Sequence, residues 1–271
     1  MHRPPAHRHA EGARVLPARR HPAVRAQAAR RDSGGAVLTR GAASAAAPGG
    51  ARAATARTLA LFDLDGTITR HDTLWAYVHG FLHRHPARVP RLARVLPVLV
   101  RFSRGLADHG ELKAALIRAT LGGVRREVLE AWTAQFVPRL LARGLRADAR
   151  SEIARYRAGG AHLVLLSASV DLYVPAIGRA LGFDEVLCTE VRWDGTRLDG
   201  TLASPNRRGA EKARLLAELR RRHPGLAVVA YADAASDLAH LALADRGVLV
   251  NGTPATRRAA RGLGLECVRW R

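Results

Sequence analysis

Short apolar runs recur along the chain from residue 59 onward, and each gives way to polar residues. Leu59–Phe62 leads into Asp63-Leu64-Asp65-Gly66-Thr67, Leu163–Leu166 ends at Ser167, and Leu226–Tyr231 ends just before Asp233. Gly247–Val250 and Leu265–Val268 continue the series. Runs this short, bounded by turn chemistry, read as buried strands. Helical periodicity lies between them at Val170–Leu181, Gly209–Arg222 and Ser236–Ala244. Strands alternating with helices predict an α/β fold, a doubly wound, Rossmann-like parallel sheet formed by residues 58–71 and 151–271. The Asp194-Gly195 turn signal predicts a small hairpin interrupting the series.

Residues 72–150 break the alternation. Apolar positions there recur at spacings of three and four, with Asp72 as an N-cap and Gly80, Gly110 and Gly122–Gly123 as punctuation. An all-helical insertion just after the first strand predicts a cap domain over the carboxyl edge of the sheet, where open α/β sheets bind ligands. Within it, residues 73–107 carry six arginines and no acid. Drawn as one helix, Leu92, Val95, Leu96, Leu99 and Phe102 form a stripe opposite Arg91, Arg94, Arg101 and Arg104. Such a stripe either packs inward with its arginines solvated or lies on anionic lipid as a peripheral membrane contact. Pro97 in mid-pattern weakens the helix.

Residues 1–57 have a different texture. They are rich in Ala, Arg, Pro and Gly, lack aromatic residues, and hold eleven arginines against Glu11 and Asp32. With no apolar period to offset ordering entropy, this extension is expected to be disordered. A targeting or polyanion-binding segment is the competing reading. The whole chain of 271 residues has a net charge of +21, yet only Lys113 and Lys212 are lysines. An arginine and alanine bias of that kind reads as coding composition, and it makes each lysine worth inspection. Charge alone describes non-specific attraction, so no specific nucleic-acid partner is expected. No run of about 18 apolar residues predicts a transmembrane segment. Cys188 and Cys267 match no disulfide framework or zinc motif, which suits a cytoplasmic setting.

The candidate chemistry lies where the strands end. Asp63 and Asp65, two apart on a loop, suit a nucleophile and a proton carrier. Asp233 and Asp237, four apart where a loop becomes a helix, suit a hard cation such as Mg²⁺ held by oxygen. Lys212 offers a point charge for phosphate and Ser167 a hydroxyl. Each has a plain alternative when taken alone: a turn after a strand, an uninformative serine, a helix cap, a surface lysine. Their joint order along the chain favours a catalytic edge.

Asp63–Thr67, Ser167, Lys212 and Asp233–Asp237 together resemble the four ordered motifs of the haloacid dehalogenase superfamily of phosphohydrolases, over residues 58–271. The helical insertion after the first motif resembles the cap of subfamily IB, the phosphoserine-phosphatase-like branch. The resemblance implies that Asp63 forms an aspartyl-phosphate and Asp65 is the general acid/base. It implies Mg²⁺ on the Asp63 carboxylate, the Asp65 carbonyl and Asp233, with Asp237 in support. Ser167, Lys212 and Thr67 would bind the substrate phosphate. Ala232-Asp233-Ala234 departs from the branch's usual Gly-Asp-Ser, so a restricted backbone at 232 and a lost hydroxyl at 234 are expected.

Ser167-Ala168-Ser169 lacks the two glycines that follow this serine in phosphoserine phosphatases. With Pro205–Lys212, it resembles the uncharacterised subfamily-IB hydrolases and the lipid phosphatase phosphatidylglycerophosphatase C. The expected substrate is a phosphomonoester, either a phospholipid at a membrane surface or another anionic monoester. A soluble small-metabolite phosphatase, of the histidinol phosphate or phosphoserine type, is the alternative within enzymes. A basic polyanion-binding module with a vestigial hydrolase site is the alternative outside them.

Overall fold

The computed structural model describes residues 58–271; the expected disorder of residues 1–57 lies outside the described residues. Six strands form one parallel sheet: β1 (Thr58–Phe62), β2 (His162–Val170), β3 (Glu185–Thr189), β6 (Ala227–Ala232), β7 (Arg246–Val250) and β8 (Glu266–Val268). Their order is β3-β2-β1-β6-β7-β8, with every neighbouring pair parallel. That is the strand order of the doubly wound Rossmann sheet, and its switch point falls between β1 and β6. The remaining two strands, β4 (Val191–Asp194) and β5 (Arg197–Leu202), form the expected antiparallel hairpin apart from the sheet.

The continuous apolar character of the central strands follows from burial on both faces. Ala60 and Phe62 of β1 face one core with Leu163, Leu165, Val229, Tyr231, Val248 and Val250. Leu59 and Leu61 face the other with Val164, Leu166, Val228, Ala230 and Leu249. Helices α5 (Ala147–Ala158) and α6 (Val174–Leu181) contribute to the first core. Helices α7 (Ala210–Arg222), α8 (Leu238–Leu243) and α9 (Pro254–Gly262) close the second.

The insertion is helical as expected: α1 (Thr73–Arg84), a 3₁₀ segment (Pro86–Val95), α2 (Leu96–Ser103), α3 (His109–Thr120) and α4 (Arg126–Arg143). Asp72 Oδ1 accepts the Trp75 N–H at 2.8 Å and caps α1. Gly80 and Gly110 lie inside helices α1 and α3 and do not end them. A Cβ on Gly80 would press the Trp132 ring, so close helix contact accounts for the residue. Helix α5 runs across residue 150 and packs on β2. The hairpin joins the insertion, with Gly123 N–H donating to Leu198 O at 2.8 Å and Leu198 N–H to Val124 O at 3.0 Å. Among the described residues no helix is long and apolar enough to cross a membrane.

The basic stripe is not one helix. The 3₁₀ geometry through Val95 advances each residue by about 120°, so the phase of the apolar positions changes before α2 begins. Pro97 sits in the first turn of α2, where its missing N–H costs little. Leu92, Val95 and Phe102 are half-buried, whereas Leu96 and Leu99 are exposed beside Val100 and Leu106. Helix α6 begins at Val174, later than expected, because β2 continues through Val170. β3 and α9 were not anticipated, the first being short and only half-buried and the second carrying four charged or polar residues in nine positions, PATRRAARG.

Phe62 anchors the first core, stacked on Tyr231 at 4.8 Å and edge-on to Phe183 at 5.9 Å. Phe62→Ala is expected to cost about 3–5 kcal/mol, read as a lower urea midpoint with an unchanged denaturant slope.

Candidate active site

The site forms at the switch point because β1 and β6 end side by side. Asp63 follows β1, and its N–H donates to Tyr231 O of β6 at 2.9 Å. The chain then makes a wide turn, Leu64–Ile68, closed by the Thr69 N–H on Leu64 O at 2.9 Å. Gly66 enables that turn with φ +79°, and a Cβ there would overlap the Asp233 carboxylate that leaves β6. Glycine is therefore required twice, for the backbone and for the approach of Asp233.

Lys212, in the first turn of α7, is buried and reaches across to this edge. Its Nζ donates to Asp63 Oδ1 at 2.6 Å and lies 3.0 Å from Asp237 Oδ1. Burial works against the ammonium, but the neighbouring Asp63 and Asp237 charges outweigh it and raise the Lys212 pKa. Asp65 points toward the cap. Its Oδ1 accepts the Thr73 N–H at 2.6 Å, and its Oδ2 accepts the Ser169 hydroxyl at 2.6 Å. Burial raises the Asp65 carboxyl, helped by the charge of Asp72 and opposed by the hydrogen bonds from Ser169 and Thr73.

Asp63, Asp65, Lys212, Asp233 and Asp237 all line one cavity of ≈ 360 Å³. Ser167 and Thr67 do not line it. Ser167 sits within β2, fully buried, where its Oγ accepts the Ser169 N–H at 3.0 Å. The Thr67 hydroxyl, also fully buried, donates to Asp63 Oδ2 at 3.3 Å. Ala232 pairs with Leu249 in ordinary strand backbone, so the side chain imposes no strain, and Ala234 lines the cavity where a serine would add a hydroxyl.

Several lining residues were not singled out from sequence as site residues. His109 and Lys113, one turn apart on α3, face the cavity with Arg208 and Asn206 from the loop before α7. Lys113 Nζ donates to Asn206 Oδ1 at 2.6 Å and to Ala168 O. Burial pulls the Lys113 ammonium down to about 8, against the nearby Asp65 and Asp72 charges. His109 is pulled down by burial and by the Arg208 charge. The signal for Lys113 was present, since it is one of two lysines in an arginine-rich chain.

Oxygens of Asp63, Asp233 and Asp237 lie within 4.8 Å of one another. Burial pushes the Asp63 carboxyl up to about 7 despite Lys212, with Asp237 and Asp65 adding repulsion. Asp233 is pushed up to about 6 by burial and by Asp237. An all-oxygen cluster with surplus negative charge fits a hard divalent cation such as Mg²⁺.

Without a cation, these raised carboxyls favour the folded protein when protonated. Their stabilising share is full below the unfolded value of 3.8 and is lost as pH rises through about 6 and 7. In EDTA, the Tm is expected to fall between pH 4 and 7 through these two groups. Added Mg²⁺ should raise the Tm more at pH 7.5 than at pH 5; an equal rise at both would contradict the assignment.

The sequence profile of the haloacid dehalogenase-like hydrolases matches residues 60–242. Protein CicA of Caulobacter vibrioides is 34% identical over 194 residues, spanning 69% of this chain and 83% of that protein. A Bordetella pertussis protein of unknown function has the same fold, with a TM-score of 0.68 at 23% identity over 79% of this chain and 99% of that one. A probable phosphoserine phosphatase of Vibrio cholerae gives a TM-score of 0.61 at 17% identity, covering 79% of this chain and 61% of that one. These two structural likenesses concern the fold.

Proposed function

The chain belongs to the haloacid dehalogenase-like hydrolase family, and we propose that it is a Mg²⁺-dependent phosphomonoester hydrolase working through a phosphorylated Asp63. The observation that carries this reading is the contact of Lys212 Nζ with both Asp63 and Asp237, in a cavity that also holds Asp65 and Asp233. An Asp63 carboxylate oxygen would attack phosphorus as the bond to the leaving oxygen breaks, and that oxygen takes a proton from Asp65. Water then attacks the same phosphorus, Asp65 takes the water proton, and the bond to Asp63 breaks to release phosphate. Lys212 holds the Asp63 carboxylate in place and faces the charge of the transferring group. Ser167 fixes the irregular Ala168–Ser169 stretch of β2, Ser169 fixes Asp65, and Thr67 fixes the second oxygen of Asp63. Mg²⁺ on Asp63, the Asp65 carbonyl and Asp233, with Asp237 in support, would neutralise phosphoryl charge.

The leaving group is proposed to carry a second negative charge. Lys113 and Arg208 enter the same cavity as the nucleophile, where a second anion on the substrate would meet their charge. A phospholipid monoester is the form of such a substrate favoured by the outer face of the cap. Leu96, Leu99, Val100 and Leu106 are exposed there among arginines, and Phe102 meets the His109 ring edge-on at 4.8 Å. An apolar surface ringed by cations suits contact with an anionic bilayer.

Phosphate release should depend on Mg²⁺ and cease in EDTA. On a panel of p-nitrophenyl phosphate, histidinol phosphate, phosphoserine and phosphatidylglycerophosphate in vesicles, turnover should favour esters with a second anion. Lys113→Met should raise KM about tenfold or more for those esters and leave p-nitrophenyl phosphate nearly unchanged. Loss of both alike would contradict the leaving-group role. Vesicle substrate no better than soluble anionic esters would contradict the lipid form.

A further inference from the structure

We infer that His162, Glu185 and His223 form a second metal site, suited to a divalent transition ion such as Zn²⁺, at the opposite edge of the sheet from the phosphatase cavity. His162 opens β2, Glu185 opens β3, and His223 follows the last residue of α7. The Nε2 atoms of both imidazoles lie 3.9 Å from the same carboxylate oxygen, Glu185 Oε2. All three donor atoms fall within 4.8 Å of one another. Both Nε2 atoms are buried and have no hydrogen-bond partner. A buried polar nitrogen without a partner costs free energy, and two of them beside one carboxylate oxygen make a place for a shared cation.

The surroundings hold these donors in place. Glu185 Oε1 accepts Arg222 Nη2 at 2.6 Å and Oε2 accepts Nη1 at 3.2 Å, which orients the carboxylate. Asp184 Oδ2 lies 3.8 Å from His162 Nδ1, on the far side of the ring from Nε2. Ligating histidines commonly have a carboxylate behind the ring in this way. The His162, Glu185 and His223 side chains are 30%, 20% and 25% exposed, so the cluster lies at the surface although its two Nε2 atoms are covered. Bonds of about 2.0–2.1 Å in tetrahedral geometry set donors about 3.4 Å apart, so each 3.9 Å separation closes by a modest rotation. Two imidazoles and one carboxylate select Zn²⁺ or its neighbours over Mg²⁺, which prefers oxygen. The two sites therefore sort their metals by donor chemistry.

The site is a clasp for the fold and not part of the reaction. His162 precedes Ser167 by five strand residues, about 16 Å along β2. An ion there ties the end of α7 to the starts of β2 and β3. The same helix carries Lys212 in its first turn.

The test is calorimetric titration of the full chain with Zn²⁺ in excess Mg²⁺, which keeps the carboxylate cluster filled. Wild type should bind one Zn²⁺ equivalent that His162→Ala and His223→Ala each lose, while Asp233→Asn keeps it. Zn²⁺ should raise the Tm of wild type and not of either histidine variant. Mg²⁺-dependent turnover of p-nitrophenyl phosphate by His162→Ala should match wild type, which shows that the variant is folded. His2, His7, His9 and His21 in the first 57 residues also bind zinc in principle, so the equivalent lost is the quantity that decides. Identical zinc binding by wild type and both histidine variants would overturn the site, as would no zinc bound by wild type. Neither result depends on the phosphatase reading.

Discussion

One buried ammonium group organises the carboxyl edge of the sheet. Lys212 Nζ touches Asp63 and Asp237, which arrive from different parts of the chain, one after β1 and the other after β6. Burying a charge costs several kcal/mol unless it is paired, and removing one partner leaves the other exposed to that penalty. The contact therefore requires β1 and β6 to be neighbours, α7 to lie across the second face, and the Asp63 loop to leave room for Asp233. The sheet order supplies the first condition, the leucines of α7 the second, and Gly66 the third.

The cluster is short of positive charge even with Lys212 in place. Five carboxyl groups line one cavity with it, and burial drives Asp63 and Asp233 upward. The same deficit explains the fit of a divalent cation. Asp65 stands apart from that cluster. Thr73 from the cap and Ser169 from β2 hold its two oxygens, so its orientation depends on the cap being seated.

The central strands and the five cavity residues were legible in the sequence because each is a local pattern. An apolar run ending in Asp, or a lone lysine on an arginine-rich helix, needs no knowledge of distant contacts. The rest depended on packing. Gly80 reads as a helix stop until Trp132 is placed beside it. The stripe from Leu92 to Phe102 reads as one face until the 3₁₀ segment shifts its phase. Lys113 and Arg208 meet only because α3 and the loop before α7 approach the same cavity from opposite sides of the chain. Ser167 stands where a phosphate contact was expected, yet strand β2 continues past it and buries its hydroxyl.

The most direct test of the central claim is steady-state phosphate release by Asp63→Asn beside wild type, with Mg²⁺ present and an anionic phosphomonoester as substrate. The amide keeps an oxygen acceptor for Lys212 and the shape of the turn, so the variant should fold while losing the nucleophile. Turnover should fall by at least about a thousandfold, more than 4 kcal/mol in the barrier, in a variant whose Tm shows that it is folded. Turnover within a few-fold of wild type would contradict a phosphorylated Asp63.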